Sequence, residues 1–206
     1  METGKFRIRG LAIGVLSLAL SLSQCTDLEG LNETPDTRVE LSTTESSGIL
    51  FMREEEKLAR DVYLYLYELY PLRPFLNISK SEQAHMDAML YLIDTLGLED
   101  PVGENPEGVF QNEELQELYD ELIERGSKSQ EEALRVGALI EEVDIIDIQT
   151  ELEEHATNEE VIRVYTNLLR ASGKHLQAFV GVLGLNDVEY EPVLMDPDHF
   201  RQIIED

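Results

Sequence analysis

From residue 48 onward, apolar residues recur at steps of three and four, the spacing of one helix face. Ile49, Met52, Ala59, Tyr63 and Leu66 form one stripe, and Ile78, Met89, Leu92 and Leu96 a second. Leu134, Ala138, Ile145, Ile148 and Leu152 form a third, and Val161, Leu168, Phe179 and Val182 a fourth. No segment alternates apolar and polar residues as a half-buried strand would. The pattern predicts long helices over about 48–70, 80–96, 130–154 and 159–184, and a shorter one over 112–125. Pro71 and Pro74 should end the first helix, Ser79 should cap the second, and Gly97 should stop it. Pro192 and Pro197 mark the tail, which has room for one last turn around His199.

The third long helix follows the second after about thirty residues. A connection of that length can cross from one end of a four-helix bundle to the other, carrying the short helix with it. The expected fold class is therefore all-α, a four-helix bundle with a long crossover. The expected organisation is a lipoprotein-type signal segment at 1–25, a flexible tether at 26–47, the bundle at 48–190 and a tail at 191–206.

Each apolar stripe also contains a polar group where packing alone would favour hydrocarbon. Glu56 interrupts the first stripe, Glu82 and His85 the second, Glu141 the third and His175 the fourth. Burying a lone carboxylate costs several kcal/mol, so buried charges are usually paired or bound to metal. Four helices that each turn such a group inward suggest a metal site in the bundle core.

Glu82 and His85 lie one turn apart, which lets the imidazole hold a metal while the carboxylate bridges or chelates. Ser79 and Glu82 also fit a capping box, which would keep Glu82 on backbone N–H groups instead. Glu54, Glu55 and Glu56 open the first helix, where acids complement its dipole. Glu54 shares a face with Ser47, Lys57 and Asp61 and reads as a surface residue. Of Glu55 and Glu56 one should point inward, and the stripe favours Glu56. In 140–148 the acids fall among isoleucines. Glu142 and Asp147 can face outward, while Glu141 and Asp144 share a face. His175 has Ser172 one turn before it, so Asp144 would supply the missing fourth carboxylate.

Glu56, Glu82, His85, Glu141, Asp144 and His175 thus comprise four carboxylates and two imidazoles, enough to neutralise two divalent cations. Mixed oxygen and nitrogen ligation favours iron or manganese, with zinc also compatible. His155 reads as a helix C-terminal residue and His199 as a tail residue. Tyr63, two turns from Glu56, can donate a hydrogen bond near the site.

The amino-terminal segment has another purpose. Lys5, Arg7 and Arg9 precede an apolar run from Leu11 to Leu22, the form of a secretory signal. Cys25, the sole cysteine, follows in Leu22-Ser23-Gln24-Cys25, which resembles a lipobox, although Gln24 departs from the usual small residue. The expectation is export, cleavage before Cys25 and a lipid anchor as the sole membrane attachment, in the cell envelope. With 43 acidic and 16 basic residues the formal charge is −27, and it is −29 without residues 1–25. Nucleic acid is a poor partner for such a surface, whereas metal cations are attracted to it. One cysteine gives neither a disulfide framework nor a thiolate cluster, so redox electrons would come from Fe(II) or an external donor. A homodimer is left open.

Glu56-Lys57-Leu58-Ala59-Arg60-Asp61-Val62-Tyr63 resembles the first-helix Glu-x-x-Ala-Arg-x-x-Tyr pattern of rubrerythrins, and Glu82-Gln83-Ala84-His85 their second-helix ligand pair. The chain thus resembles the ferritin-like superfamily, with Ser172 standing where the pattern has Glu. More closely, Met52–Tyr63, Ser81–Met86, Asn167–Arg170 and His175–Phe179 are similar to the bacterial domain of unknown function 2202, over about Leu50 to Tyr190. The resemblance implies a ferritin-like bundle with a di-metal site, while that family brings no established reaction.

Three functions follow as expectations. The first is a di-iron oxidoreductase acting on peroxide, dioxygen or Fe(II). The second is a non-catalytic metal-binding envelope protein. The third is a metal-free helical interaction module.

Overall fold

A computed structural model describes residues 41–205. Its helices are α1 (Thr43–Leu69), α2 (Arg73–Leu96), α3 (Glu113–Gly126), α4 (Gln130–Thr150), α5 (Glu159–Leu185) and α6 (Pro197–Glu205). A π-helical turn, Glu151–His155, prolongs α4. The described residues contain no strand, and the protein is all-helical over that span. None of these helices is long and apolar enough to cross a membrane. The leader, Cys25 and most of the expected tether lie outside the described residues.

Helix ends depart from the sequence reading where capping outweighs the apolar pattern. The side chain of Ser42 accepts the Glu45 N–H and starts α1 five residues early, so 43–47, expected as tether, are helical. Helix α2 starts at Arg73 with Pro74 in its first turn, where the missing N–H costs nothing. Pro74 therefore opens a helix, and Ser79 does not cap one. Ser79 is buried within α2 and donates to the Leu76 carbonyl at 3.1 Å, which removes the capping-box role for Glu82. Gly97 closes α2 as expected, at φ +69°, a left-handed conformation that favours glycine. The tail forms nine residues of helix rather than one turn.

Helix α1 lies along α2 and α4 along α5, while α2 also meets α5 and α1 meets α4. Tyr63, late in α1, reaches the Gly137 carbonyl in the first half of α4, and Phe75, early in α2, packs on Phe179, late in α5. Both cross-core pairs are therefore antiparallel, and α2 and α4 run the same way. The connection between them must travel back along the molecule, and it does so against α1. Arg53 binds the Asp100 carboxylate at 3.1 Å, Lys57 donates to the Pro106 carbonyl at 2.8 Å, and the Tyr70 hydroxyl reaches the Ser127 carbonyl at 2.9 Å. From residue 53 to residue 70 is about 25 Å of helix.

That strap covers a second face of α1, and every residue from Met52 to Ala59 is buried. Glu54 is accordingly not a surface residue. It accepts the Gln111 and Asn112 N–H groups at 2.6 and 3.1 Å and fixes the strap before α3. Lys57 and Asp61 form a buried pair at 2.5 Å, closed by the Gly108 N–H on Asp61. Glu142, expected to face outward, is also buried. It accepts the Tyr190 hydroxyl at 2.6 Å and the N–H groups of Val193, Leu194 and Met195. These acids satisfy backbone donors of the strap and of the tail.

Two apolar layers fill the space between the four long helices. Tyr63, Phe75 and Phe179 form an aromatic layer with ring centroids 5.2–6.3 Å apart. Ile49, Met52, Met89, Leu92, Ile148 and Leu168 belong to the other. A Cβ on Gly137 would come within 2.5 Å of the Phe179 ring, so glycine there lets that ring seat against α4.

Candidate functional site

Between the two apolar layers the four long helices turn polar side chains toward one another. Glu82 of α2 is central. Its Oε2 lies 2.7 Å from Nδ1 of His85, and its Oε1 lies 2.8 Å from Nδ1 of His175 on α5. Glu56 of α1 stands on the far side of His85, Oε2 to Nδ1 3.1 Å. Glu141 of α4 stands on the far side of His175, Oε2 to Nδ1 3.4 Å. The result is two ligand sets, Glu56–Glu82–His85 and Glu82–Glu141–His175, each with its ligand atoms within 4.8 Å of one another. Glu82 belongs to both. All five residues are buried, and the imidazoles stack with centroids 5.6 Å apart.

Outer contacts hold this arrangement. The Tyr63 hydroxyl donates to Oε1 of Glu141 at 2.5 Å, as its place on the stripe suggested. Ser81 Oγ lies 3.0 Å from Nε2 of His175, leaving Nδ1 to face the carboxylates. Partners of this kind fix ligand orientation in metal sites.

Five of the six residues expected as ligands therefore come together. Asp144, the sixth, is buried beside them but belongs to neither set. One of its oxygens accepts the Ser172 hydroxyl, and the other has no donor among the described residues. Ser172 is itself buried, so the place of a carboxylate on α5 is taken by a hydroxyl directed at Asp144. Glu55 and Glu56 are both buried, against the expectation that only one turns inward. Glu56 joins the cluster, while Glu55 and Asp144 line a small cavity between α1, α3 and α4. Glu55 shares a helix face with the apolar Phe51, Leu58 and Val62, a pattern that fits its burial. Asp147, expected outside, is half-buried. His155 ends the π-helical turn, and His199 lies on α6 beside Gln149 at 3.3 Å; neither belongs to the two sets.

Charge is distributed unevenly. Burial opposes a cationic His85, but Glu56 and Glu82 outweigh it and raise the imidazole to about 11. Burial likewise opposes a cationic His175, and Glu141 with Glu82 raises it to about 10. Burial pushes Glu82 up, but hydrogen bonds from both imidazoles win and bring it down to about 2. Burial drives Asp144 up to about 7, reinforced by Glu141 and Glu82. Glu55 and Glu56 are raised by burial and by neighbouring carboxylates. Without metal, two imidazolium groups thus stand between carboxylates that lack other cations.

The donor set suits hard or borderline cations, being carboxylate oxygen and imidazole nitrogen without thiolate. Glu56 Oε1 and Asp144 Oδ1 are buried with no donor among the described residues, and each has a lone pair directed at no proton. Such atoms fit a cation better than they fit a closed hydrogen-bond network.

Residues 45–206 match the family model described as "Uncharacterized protein domain (DUF2202)". The chain belongs to the DUF2202 family. It is similar to the uncharacterized protein MJ0754 of Methanocaldococcus jannaschii, with 44% identity over 164 residues, 80% of this chain and 88% of that protein. A crystal structure of that hypothetical protein, reported under Methanococcus jannaschii DSM 2661, superposes with a TM-score of 0.79. It covers 86% of this chain and 98% of the other at 42% identity. The DUF2202 helical fold described above is thus shared with a solved structure.

Proposed function

We propose that this DUF2202 protein is a ferritin-like four-helix bundle that binds two metal ions, iron foremost, with manganese or zinc as alternatives. We propose further that it acts as an oxidoreductase on peroxide, dioxygen or Fe(II). One observation carries the reading: Glu82 is shared by two histidines, each flanked by a second buried carboxylate from another helix. Glu56, Glu82 and His85 would hold one ion, and Glu82, Glu141 and His175 the other. Bound iron supplies the electron transfer to the oxidant. The protein's own residues keep Glu82 between the imidazoles, aim Glu141 through Tyr63, and shield the cluster from water between the two apolar layers. The sequence has a single cysteine, so reducing electrons come from Fe(II) or an external donor.

A metal-free module has one observation in its favour, the ion pairs that His85 and His175 make as imidazolium groups. That network leaves Glu56 Oε1 and Asp144 Oδ1 without donors among the described residues, which weighs for metal. Elemental analysis of the purified protein separates the two. Oxidation of added Fe(II), followed optically, then separates an oxidoreductase from a protein that only holds its metal. Two ions per chain with turnover are expected, and a metal-free protein unresponsive to Fe(II) would contradict the reading.

Export with lipidation of Cys25 is part of the same proposal, on the sequence of residues 1–25 alone. Cys25→Ser should abolish membrane fractionation. Unchanged fractionation would remove the anchor.

A further inference from the structure

The longest stretch of the sequence without an acid lies in α5, between Glu160 and Asp187. The chain carries 43 acidic residues against 16 basic ones, so a helix with no carboxylate beyond its first turn is an exception. Its basic residues are Arg163, Arg170 and Lys174. Arg163 pairs with Glu160. Arg170 and Lys174 stand two turns further on, four residues apart and exposed. Neither has a carboxylate partner among the described residues, and Arg170 reaches only the Asn167 side-chain oxygen, at 3.1 Å. Like charges four residues apart on a helix repel, and an acid placed beside them would relieve that.

These two cations line a groove between α4, α5 and α6, with Ile145, Leu169 and Ile203 as its apolar walls. It admits water-sized bodies over about 180 Å³, far more than the roughly 15 Å³ that one water needs. A ligand of about ten heavy atoms therefore has room. No carboxylate lines the groove among the described residues. Gln177 holds α6 in place by donating to the Ile203 carbonyl, and Asp196 caps α6 through the N–H groups of Asp198 and His199. Of the acids on α6, Asp198 is tied to Arg201 at 2.9 Å and Glu205 lines an adjoining hollow. His199 also lines the groove, and its Nε2 lies 3.3 Å from the Gln149 amide nitrogen. With that amide donating, the ring proton sits on Nδ1, which is left as a donor.

We propose that this groove binds a small organic anion, a phosphate or carboxylate head carried on a compact apolar body. Arg170 offers its guanidinium fork and Lys174 its ammonium to the head, and both make charge-assisted hydrogen bonds. His199 adds an N–H from the opposite wall, and Ile145, Leu169 and Ile203 receive the body. The rest of the surface repels anions, since the chain's formal charge is −27, so an anion that binds does so because of this local arrangement. None of the five residues in the two ligand sets lines the groove, and the inference does not rest on the metal reading.

Phenyl phosphate and benzoate are suitable probes, with benzyl alcohol as the uncharged control, each titrated into the full chain by calorimetry at about 0.15 M salt. Wild type should bind at least one of the two anions and not the alcohol, and the anion that binds names the head group. Arg170→Gln and Lys174→Gln, both at exposed positions, should each weaken that binding at least about tenfold. Arg163→Gln removes the same charge from the same helix away from the groove, and should stay within about twofold of wild type. Glu82→Gln should also bind the anion as wild type does, which keeps this test apart from that of the metal centre. In the proton NMR spectrum the bound anion should shift the His199 ring signals and leave those of His155 in place. Binding of neither anion would overturn the proposal, and so would equal affinity in wild type, Arg170→Gln and Lys174→Gln. A loss as large in Arg163→Gln would reduce the effect to overall charge and overturn it too. Binding lost in Glu82→Gln but kept in Arg170→Gln would place the anion at the metal cluster instead.

Discussion

The Tyr63 hydroxyl on α1 donates to Oε1 of Glu141 on α4 at 2.5 Å, while the other oxygen of Glu141 faces Nδ1 of His175 at 3.4 Å. One phenol therefore aims a carboxylate across the core. In Tyr63→Phe the ion held by Glu82, Glu141 and His175 should bind about tenfold more weakly, and the ion at Glu56 and His85 should be unaffected. Metal-free stability should fall by about 1–3 kcal/mol, because Oε1 of Glu141 becomes a buried acceptor without a donor. Two-site metal titration and urea unfolding measure these effects. Equal weakening of both ions would show that Tyr63 supports packing rather than Glu141.

Ser172 and Asp144 form the second cross-helix pair, from α5 to α4. Ser172→Ala removes the donor from a buried carboxylate and should destabilise the metal-free protein by about 1–3 kcal/mol. In an Asp144→Asn background the same change should cost much less, because an amide carries no charge to be left unpaired. A double-mutant cycle by urea unfolding should give a coupling of about 0.5–3 kcal/mol. Additive effects would mean that the two residues do not depend on each other.

Glu142 anchors the tail through four donors, from Tyr190, Val193, Leu194 and Met195. Glu142→Ala should release the segment after Asn186, destabilise the fold by about 1.5–3 kcal/mol and leave metal stoichiometry unchanged. Limited proteolysis should then cut near residues 191–196. Resistance to the protease in Glu142→Ala would show that α6 holds itself in place.

The sequence made the long helices legible because each keeps one apolar face, and it exposed Glu56, Glu82, His85, Glu141 and His175 as polar breaks in those faces. It did not reveal Glu54, Lys57 and Glu142 as buried. Each has backbone N–H or C=O groups of a distant loop among its partners, which are absent from any side-chain pattern. The starts of α1 and α2 were missed because Ser42 and Pro74 act through the first turn, ahead of the apolar stripe. Asp144 was placed on the right face. Its attachment to Ser172 follows from the packing of α4 on α5, which spacing along one helix does not encode.

The pH dependence of the metal-free chain follows from the cluster. His85 and His175 rise from 6.5 to about 11 and about 10, so their stabilisation is complete below pH 6.5 and is lost as pH climbs toward those values. Asp144 rises from 3.8 to about 7, so it destabilises progressively above pH 3.8. Glu82 falls from 4.5 to about 2, and its stabilisation is lost only as pH drops from 4.5 toward 2. Metal-free protein should therefore be most stable near pH 5 and weaken toward pH 8.5. Bound metal displaces the imidazole protons, so the melting-temperature gap between loaded and chelated protein should widen over that range. A constant gap would place the titrating histidines away from the metal.

The most direct test of the two-ion centre is the metal titration of wild type against Glu82→Gln. Among the described residues Glu82 is the carboxylate paired with both histidines, so its loss should weaken two ions together, each by at least tenfold, while Glu142→Gln weakens neither. If Glu82→Gln loses a single ion, or if wild-type protein binds none and melts alike with and without metal, the shared-carboxylate account is wrong.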